Sequence, residues 1–300
     1  MKEELKTGYQ RYKEDGLSQM CRMGTRELNR QWYNLTSGTQ YNKSGVDIHE
    51  EEWDNLIILD ACRFDYFKRY CTLDGTLESR ISRGSTSSEF IRGNFTDRIA
   101  YDTVYLSDNP WYGRLHREID SELYHFSFCE RDAFDGTVTH PETVTDSALD
   151  YYEQHPNKRF IVHYMQPHAP YFTADGEERF SWPGKEEYDP TPEEVQEAYV
   201  GNLKLVLDEI PRLIDAMEGR TVVTADHGEL LGERLPPLPM LQYQHSAGLY
   251  VDPLVKVPWL IIDDESEKDI VTADAPMKYN YPDDFEQRID SQLKDLGYLE

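Results

Sequence analysis

Apolar residues along this chain fall into short continuous runs separated by longer amphipathic stretches. Asn55–Asp60 reads Asn-Leu-Ile-Ile-Leu-Asp, the pattern of a strand buried on both faces. Runs of the same kind recur at Thr103–Leu106, Phe160–Tyr164, Thr221–Thr224 and Trp259–Ile262. Between them, helical spacing covers Thr86–Arg98, Pro141–Gln154 and Pro192–Met217. The last opens on Thr191-Pro192-Glu193-Glu194, a helix start with proline and acids in the first turn. Pro211, inside it, is predicted to kink or split the helix. Strands alternating with helices predict an α/β domain over residues 51–300, with a mostly parallel central sheet and helices on both faces. Residues 1–50 are polar, with helical character over Glu3–Tyr33, and are predicted to form an N-terminal helical arm. Asp283–Leu299 is predicted to be a closing helix that ends near Gly297.

Composition narrows the function. The 300 residues include 57 acidic and 31 basic side chains, a formal charge of −26. Such a charge repels phosphate backbones and anionic headgroups, so binding to nucleic acid or to a membrane surface through net charge is excluded. An acidic surface of this kind suits a salt-rich solvent, which screens self-repulsion over a few ångströms. Aromatic residues, 12% of the chain, are too many for a disordered acidic tail. No apolar run approaches the ~18 residues of a spanning helix, and Met1–Tyr12 does not resemble a leader, so a soluble cytoplasmic protein without membrane insertion is expected. Cys21, Cys62, Cys71 and Cys129 show no metal-binding spacing and are expected to be reduced.

In open α/β sheets, ligands bind at the carboxyl ends of strands. Three of the runs end in chemistry-bearing residues: Asp60-Ala-Cys-Arg63-Phe-Asp65, His163-Tyr-Met-Gln-Pro-His168-Ala-Pro-Tyr171, and Asp226-His227-Gly228-Glu229. A carboxylate directly after a buried strand is costly unless it is paired, hydrogen-bonded or metal-bound. One such end could be a helix cap, and Arg63 with Asp65 a local ion pair. Three ends delivering Asp or His to one sheet edge point to a metal site. Gly228 permits the sharp turn that lets Asp226 and His227 face one cation. His163 lies inside its strand pattern and reads equally as a buried, hydrogen-bonded histidine.

The order of these motifs resembles the alkaline phosphatase superfamily, and within it the sulfatase-like branch. The likeness continues through Asn202–Leu207 with Asp208, through His245-Ser-Ala-Gly-Leu-Tyr into Val257-Pro258-Trp259, and in the ending Leu293-Lys-Asp-Leu-Gly-Tyr298. The resemblance implies attack by a hydroxyl at a helix start on a phosphate or sulfate ester, assisted by a metal. The nucleophile is expected in Gly84-Ser85-Thr86-Ser87-Ser88. The family's nucleophile-x-Pro pattern favours Thr86, with Ser88 in the proline position and Ser85, then Ser87, as alternatives. No cysteine sits in the Cys-x-Pro-x-Arg context of true sulfatases, so no formylglycine is expected and phosphoester chemistry is favoured. The resemblance implies one divalent ion (Mn, Mg, Ca or Zn) held by Asp60, Thr86, Asp226 and His227. The Asp-x-x-x-His group of two-metal relatives is missing, its nearest match being Asp135 with His140. His168 and His245 are expected to hold the anion and protonate the leaving group, and Arg63 to bind a non-bridging oxygen. The expected activity is a metal-dependent hydrolase of phosphate or sulfate esters on glycan or headgroup substrates. The alternatives are a phospho-group transferase in surface-glycan assembly, or a non-catalytic member that binds an anionic sugar.

Overall fold

The computed structural model describes residues 40–129, 139–172, 178–180, 190–235, 241–263, 267–278, 285–296 and 298. The helical arm expected over residues 1–50 lies outside them up to residue 39; residues 48–50 form one 3-10 turn. In chain order the elements are β1 (Asn55–Leu59), α1 (Phe64–Tyr70), β2 (Thr76–Ile81), α2 (Ser87–Phe95), β3 (Ile99–Ser107), α3 (Trp111–Leu115), β4 (Glu122–Phe128) and α4 (Pro141–Gln154). There follow β5 (Arg159–Tyr164), β6 (Tyr171–Phe172), β7 (Glu178–Phe180), α5 (Pro192–Ala216), β8 (Thr221–Thr224), β9 (Leu230–Arg234), β10 (Leu241–Gln244), α6 (Asp252–Val255), β11 (Lys256–Ile262) and α7 (Phe285–Asp295).

Seven strands form the central sheet in the order β2-β11-β8-β1-β5-β3-β4. Pairing is parallel from β8 through β4, and β11 runs antiparallel to both of its neighbours. The period-two alternation of strands divides the core. Ile57 and Leu59 of β1 face a cluster with Val206, Leu207 and Ile210 of α5 and Val144 and Ala148 of α4. Leu56 and Ile58 face the opposite cluster, with Phe90 and Phe95 of α2 and Ile289 and Leu293 of α7. Helices therefore cover both faces, as the sequence predicts.

The five predicted strands are present, as are the helices predicted over Thr86–Arg98, Pro141–Gln154 and Pro192–Met217 and the closing helix, which is described as Phe285–Asp295. The exception is the break at Pro211: α5 runs unsplit for 25 residues from Pro192 to Ala216. Pro211 lies close to its C-terminus, and the buried stripe Val206, Leu207, Ile210 and Leu213 carries the same packing across it. The helix starts on a full capping box, Thr191 with Glu194.

Candidate active site

The residues of interest gather where β8, β1, β5 and β3, neighbours in the sheet, end at their carboxyl side. Asp60 leaves β1 fully buried; its Oδ2 accepts a 2.8 Å hydrogen bond from Asn109 Nδ2. The next residue, Ala61, is held at φ 62°, a left-handed conformation costly for a residue with a Cβ. That turn aims the Ala61 N–H at Asp226 Oδ1, 3.1 Å away, and the same oxygen accepts from the His227 N–H at 2.8 Å. Gly228 makes the next turn possible: a Cβ there would lie 2.1 Å from the Pro253 carbonyl oxygen, while its N–H donates to Leu254 O at 2.7 Å.

The remaining oxygens of this carboxylate pair have no hydrogen-bond partner. Asp60 Oδ1 and Asp226 Oδ2 are buried and face His227 Nε2 at 3.4 and 3.5 Å. His227 Nδ1 lies 2.8 Å from the Gly228 carbonyl oxygen, so Nδ1 carries the hydrogen and Nε2 presents a lone pair. Two carboxylate oxygens and one imidazole nitrogen, all electron donors, thus converge in a water-excluded space and lie within 4.8 Å of one another. That set is incomplete without a positive charge and fits a divalent cation. Burial, and next the Asp226 charge, push Asp60 well above the usual carboxylate range. Burial opposes ionisation of Asp226 too, but His227 and His163 hold it below that range. His163 stands behind Asp226, its Nδ1 2.8 Å from Tyr105 OH and its Nε2 3.7 Å from Asp226 Oδ2; burial lowers it to about 4.

The structure brings Ser87, rather than Thr86, to this group. Thr86 is the N-cap of α2: its Oγ1 accepts from Glu89 N and lies 3.0 Å from Ser88 Oγ. Ser85 Oγ lies between the Glu89 carboxylate and the Ser246 carbonyl, 2.8 Å from each. Ser87, the first helical residue, turns its Oγ to His227 Nε2 at 3.3 Å and to Asn109 Nδ2 at 3.0 Å. The helix start decides the register. A cap side chain folds back over the free N–H groups, whereas the next residue projects forward from the positive end of the helix. The hydroxyl beside His227 is thus that of Ser87, not the expected Thr86. Glu89 fixes this end by accepting from Ser85 N, Gly248 N and Tyr250 OH.

Arg63 does not reach this group. Its guanidinium is bound to Asp65, Glu233 and the Glu229 carbonyl, and the two carboxylates hold it firmly charged against burial. These bonds place Arg63 in a local network with Asp65 and Glu233.

His168, Glu229 and His245 form a second donor group, also within 4.8 Å of one another. The His245 ring centre is 4.3 Å from that of His227 and 5.3 Å from that of His168. Asn202 of α5 holds the loop carrying His168, donating to the His168 and Pro170 carbonyls at 3.0 and 2.9 Å. His168 Nδ1 bonds the Ala169 carbonyl, and His245 Nδ1 lies 3.2 Å from Glu229 Oε2. Both Nε2 atoms meet one phenol, Tyr298 OH, at 3.1 and 2.9 Å. Burial lowers His168 to about 3, so this ring is neutral at neutral pH. Asn109, Glu229 and Tyr298 were not singled out as site residues in the sequence. Glu229 and Tyr298 stood within motifs that carry the resemblance, while Asn109 carries no local signal.

No family model and no curated protein matches the chain. Solved structures that it is similar to include the zinc complex of the C-terminal periplasmic domain of EcEptC from Escherichia coli. The identity is 14% over 72% of this chain and 73% of that one, with a TM-score of 0.48. The C-terminal periplasmic domain of phosphoethanolamine transferase EptC from Campylobacter jejuni is 13% identical over 70% of this chain and 78% of that one, TM-score 0.48. A protein in the alkaline phosphatase superfamily from Vibrio parahaemolyticus is 14% identical over 81% and 65%, TM-score 0.46. That superfamily is the one the motif order resembles. At these identities and TM-scores the likeness bears on neither activity nor substrate.

Proposed function

We propose that the chain is a metal-dependent hydrolase of phosphate esters of the alkaline phosphatase type, with Ser87 as nucleophile. One observation carries the reading: the partnerless oxygens of Asp60 and Asp226 and the lone pair of His227 converge beside a hydroxyl at a helix start. Asp60, Asp226 and His227, with Ser87, would hold the divalent ion. When bound, it supplies positive charge that lowers the pKa of the attacking hydroxyl and stabilises the developing oxyanion.

The chain's own groups account for the remaining steps. The start of α2 favours an anion at Ser87 through its free N–H groups. Asn109 holds Ser87 and Asp60 together through the two N–H groups of one amide. The Ser87 oxygen bonds to phosphorus while the bond to the leaving oxygen breaks. The hydroxyl proton passes to water. His245, backed by Glu229, delivers the proton to the leaving oxygen, with neutral His168 beside it across the shared Tyr298 phenol. Water then releases phosphate from Ser87; an alcohol in its place would make the same site a transferase. The absence of a cysteine nucleophile supports phosphate over sulfate.

Turnover of nitrophenyl phosphate, its diester and nitrophenyl sulfate, each with Mn²⁺, Mg²⁺, Ca²⁺ and Zn²⁺, tests this reading. The phosphate substrates should lead, and no turnover of any substrate would refute it. The His-Glu-His composition of the second group supports a further reading, in which it takes a second ion. Elemental analysis separates them: one bound ion per chain, or two.

A further inference from the structure

We propose that Tyr298, delivered by the segment that follows α7, is a positioning residue for His168 and His245, so that this segment is a working part of the site. The proposal rests on the assignment of His245 to the leaving group.

One nitrogen of each imidazole meets its own surroundings, His168 Nδ1 the Ala169 carbonyl and His245 Nδ1 the Glu229 carboxylate. The other nitrogen of each is held by the same phenol oxygen. A ring fixed at both nitrogens cannot rotate about its Cβ–Cγ bond, and a shared oxygen at 2.9 and 3.1 Å also sets the spacing of the two rings. A phenol has one proton and can accept as well as donate, so it can join two imidazoles in one chain of hydrogen bonds.

The segment that presents Tyr298 is docked at points next to the site. Gln292 of α7 donates to the Asp108 carbonyl at 3.0 Å, one residue before Asn109. Leu296 packs with Met165, at the end of β5, and with Phe172. Beyond α7 the Tyr298 N–H returns to the Leu293 carbonyl at 2.8 Å, and the Tyr298 ring stands edge-on to Trp111, 5.4 Å between centres. Gly113 of α3 lets α7 lie close, since a Cβ there would come within 2.4 Å of Ile289. The phenol is thus aimed from several anchors, none of which needs its hydroxyl.

The test uses the full chain and Tyr298→Phe, which keeps the ring and removes the oxygen. If the hydroxyl positions the proton-delivering histidine, the loss must grow as the leaving group needs its proton more. Turnover of an alkyl phosphate ester should fall about tenfold in kcat, and that of a nitrophenyl ester less than about threefold. Bound metal should stay at the wild-type value, and melting temperature should fall by no more than a few degrees through the lost hydrogen bonds. Equal losses on both esters, or none, would overturn the proposal. If the wild-type chain turns over neither ester, the functional reading fails, and ring-nitrogen NMR still tests the positioning. Tyr298→Phe should move the Nε2 signals of both His168 and His245, assigned through His168→Gln and His245→Gln; an unmoved pair would overturn it.

Discussion

The substitution Asp60→Asn should raise the stability of the metal-free protein and abolish its stabilisation by metal. In the wild type, two carboxylates and an imidazole lone pair face one another within 4.8 Å. Two unit charges at that distance repel by about 3.5 kcal/mol at an effective dielectric constant of about 20. The amide side chain of the variant keeps the oxygen that accepts from Asn109 Nδ2 at 2.8 Å. Its new N–H groups would face His227 Nε2, 3.4 Å from the present Oδ1. Asp60 is the carboxylate whose ionisation the fold opposes, so in EDTA at about pH 8 the variant should gain up to about 3 kcal/mol, or about 6 °C in Tm. A divalent ion at about a hundred times its Kd adds about 2.7 kcal/mol to the wild type and nothing to the variant. The assay is thermal unfolding of both proteins in EDTA and in a metal series, and the expected result is that the ranking reverses. A variant less stable than wild type in EDTA, or one that metal still stabilises, would refute the converging-donor geometry.

Ser87→Ala should lower turnover about 10³-fold or more. Thr86→Ala should cost about 1 kcal/mol of stability through the lost cap and leave turnover nearly intact, and initial rates with melting curves separate the two. Gly228→Ala should abolish metal binding, because its Cβ would lie 2.1 Å from the Pro253 oxygen and force Asp226 and His227 apart; isothermal titration with metal reads this directly. Lys268, hydrogen-bonded to Asn55 and 4.5 Å from the Tyr152 ring centre, is lowered by burial to about 8 from 10.5. Because the unfolded chain keeps the proton at higher pH than the folded one, the penalty is full below pH 8 and disappears as pH rises to about 10.5. Denaturant unfolding should therefore move in favour of wild type over Lys268→Met by about 3 kcal/mol between pH 7.5 and 10.5, and a constant difference would refute the burial.

The sheet centre was legible because β1, β5 and β8 are buried on both faces and leave unbroken apolar runs. β2, at the sheet edge, half exposed and carrying Glu78 and Arg80, leaves no such run and was missed. The same logic separates the site residues. Asp60, Asp226 and His227 follow buried strands directly, so their position alone signalled them. The choice between Thr86 and Ser87 depends on which residue becomes the cap, a one-residue decision made by Glu89 and its bonds to Gly248 and Tyr250. Asn109 follows a strand but reads as an ordinary turn residue. Tyr298 meets its histidines across separations of 130 and 53 positions that no local pattern records.

The β1–β8 pairing at the centre of the sheet also sets the time at which the donor set can exist. Ala61 and Asp226 are 165 positions apart, and their contact forms only after parallel strands distant in sequence have found register. Long-range parallel pairing is a late, slow event in folding, because the intervening loop must be closed before any contact offsets its entropy. A cation arriving during folding would meet isolated aspartates and bind weakly. Once β1 and β8 are zipped, it would act as a clasp across the long loop between them. Metal should therefore slow unfolding far more than it speeds folding.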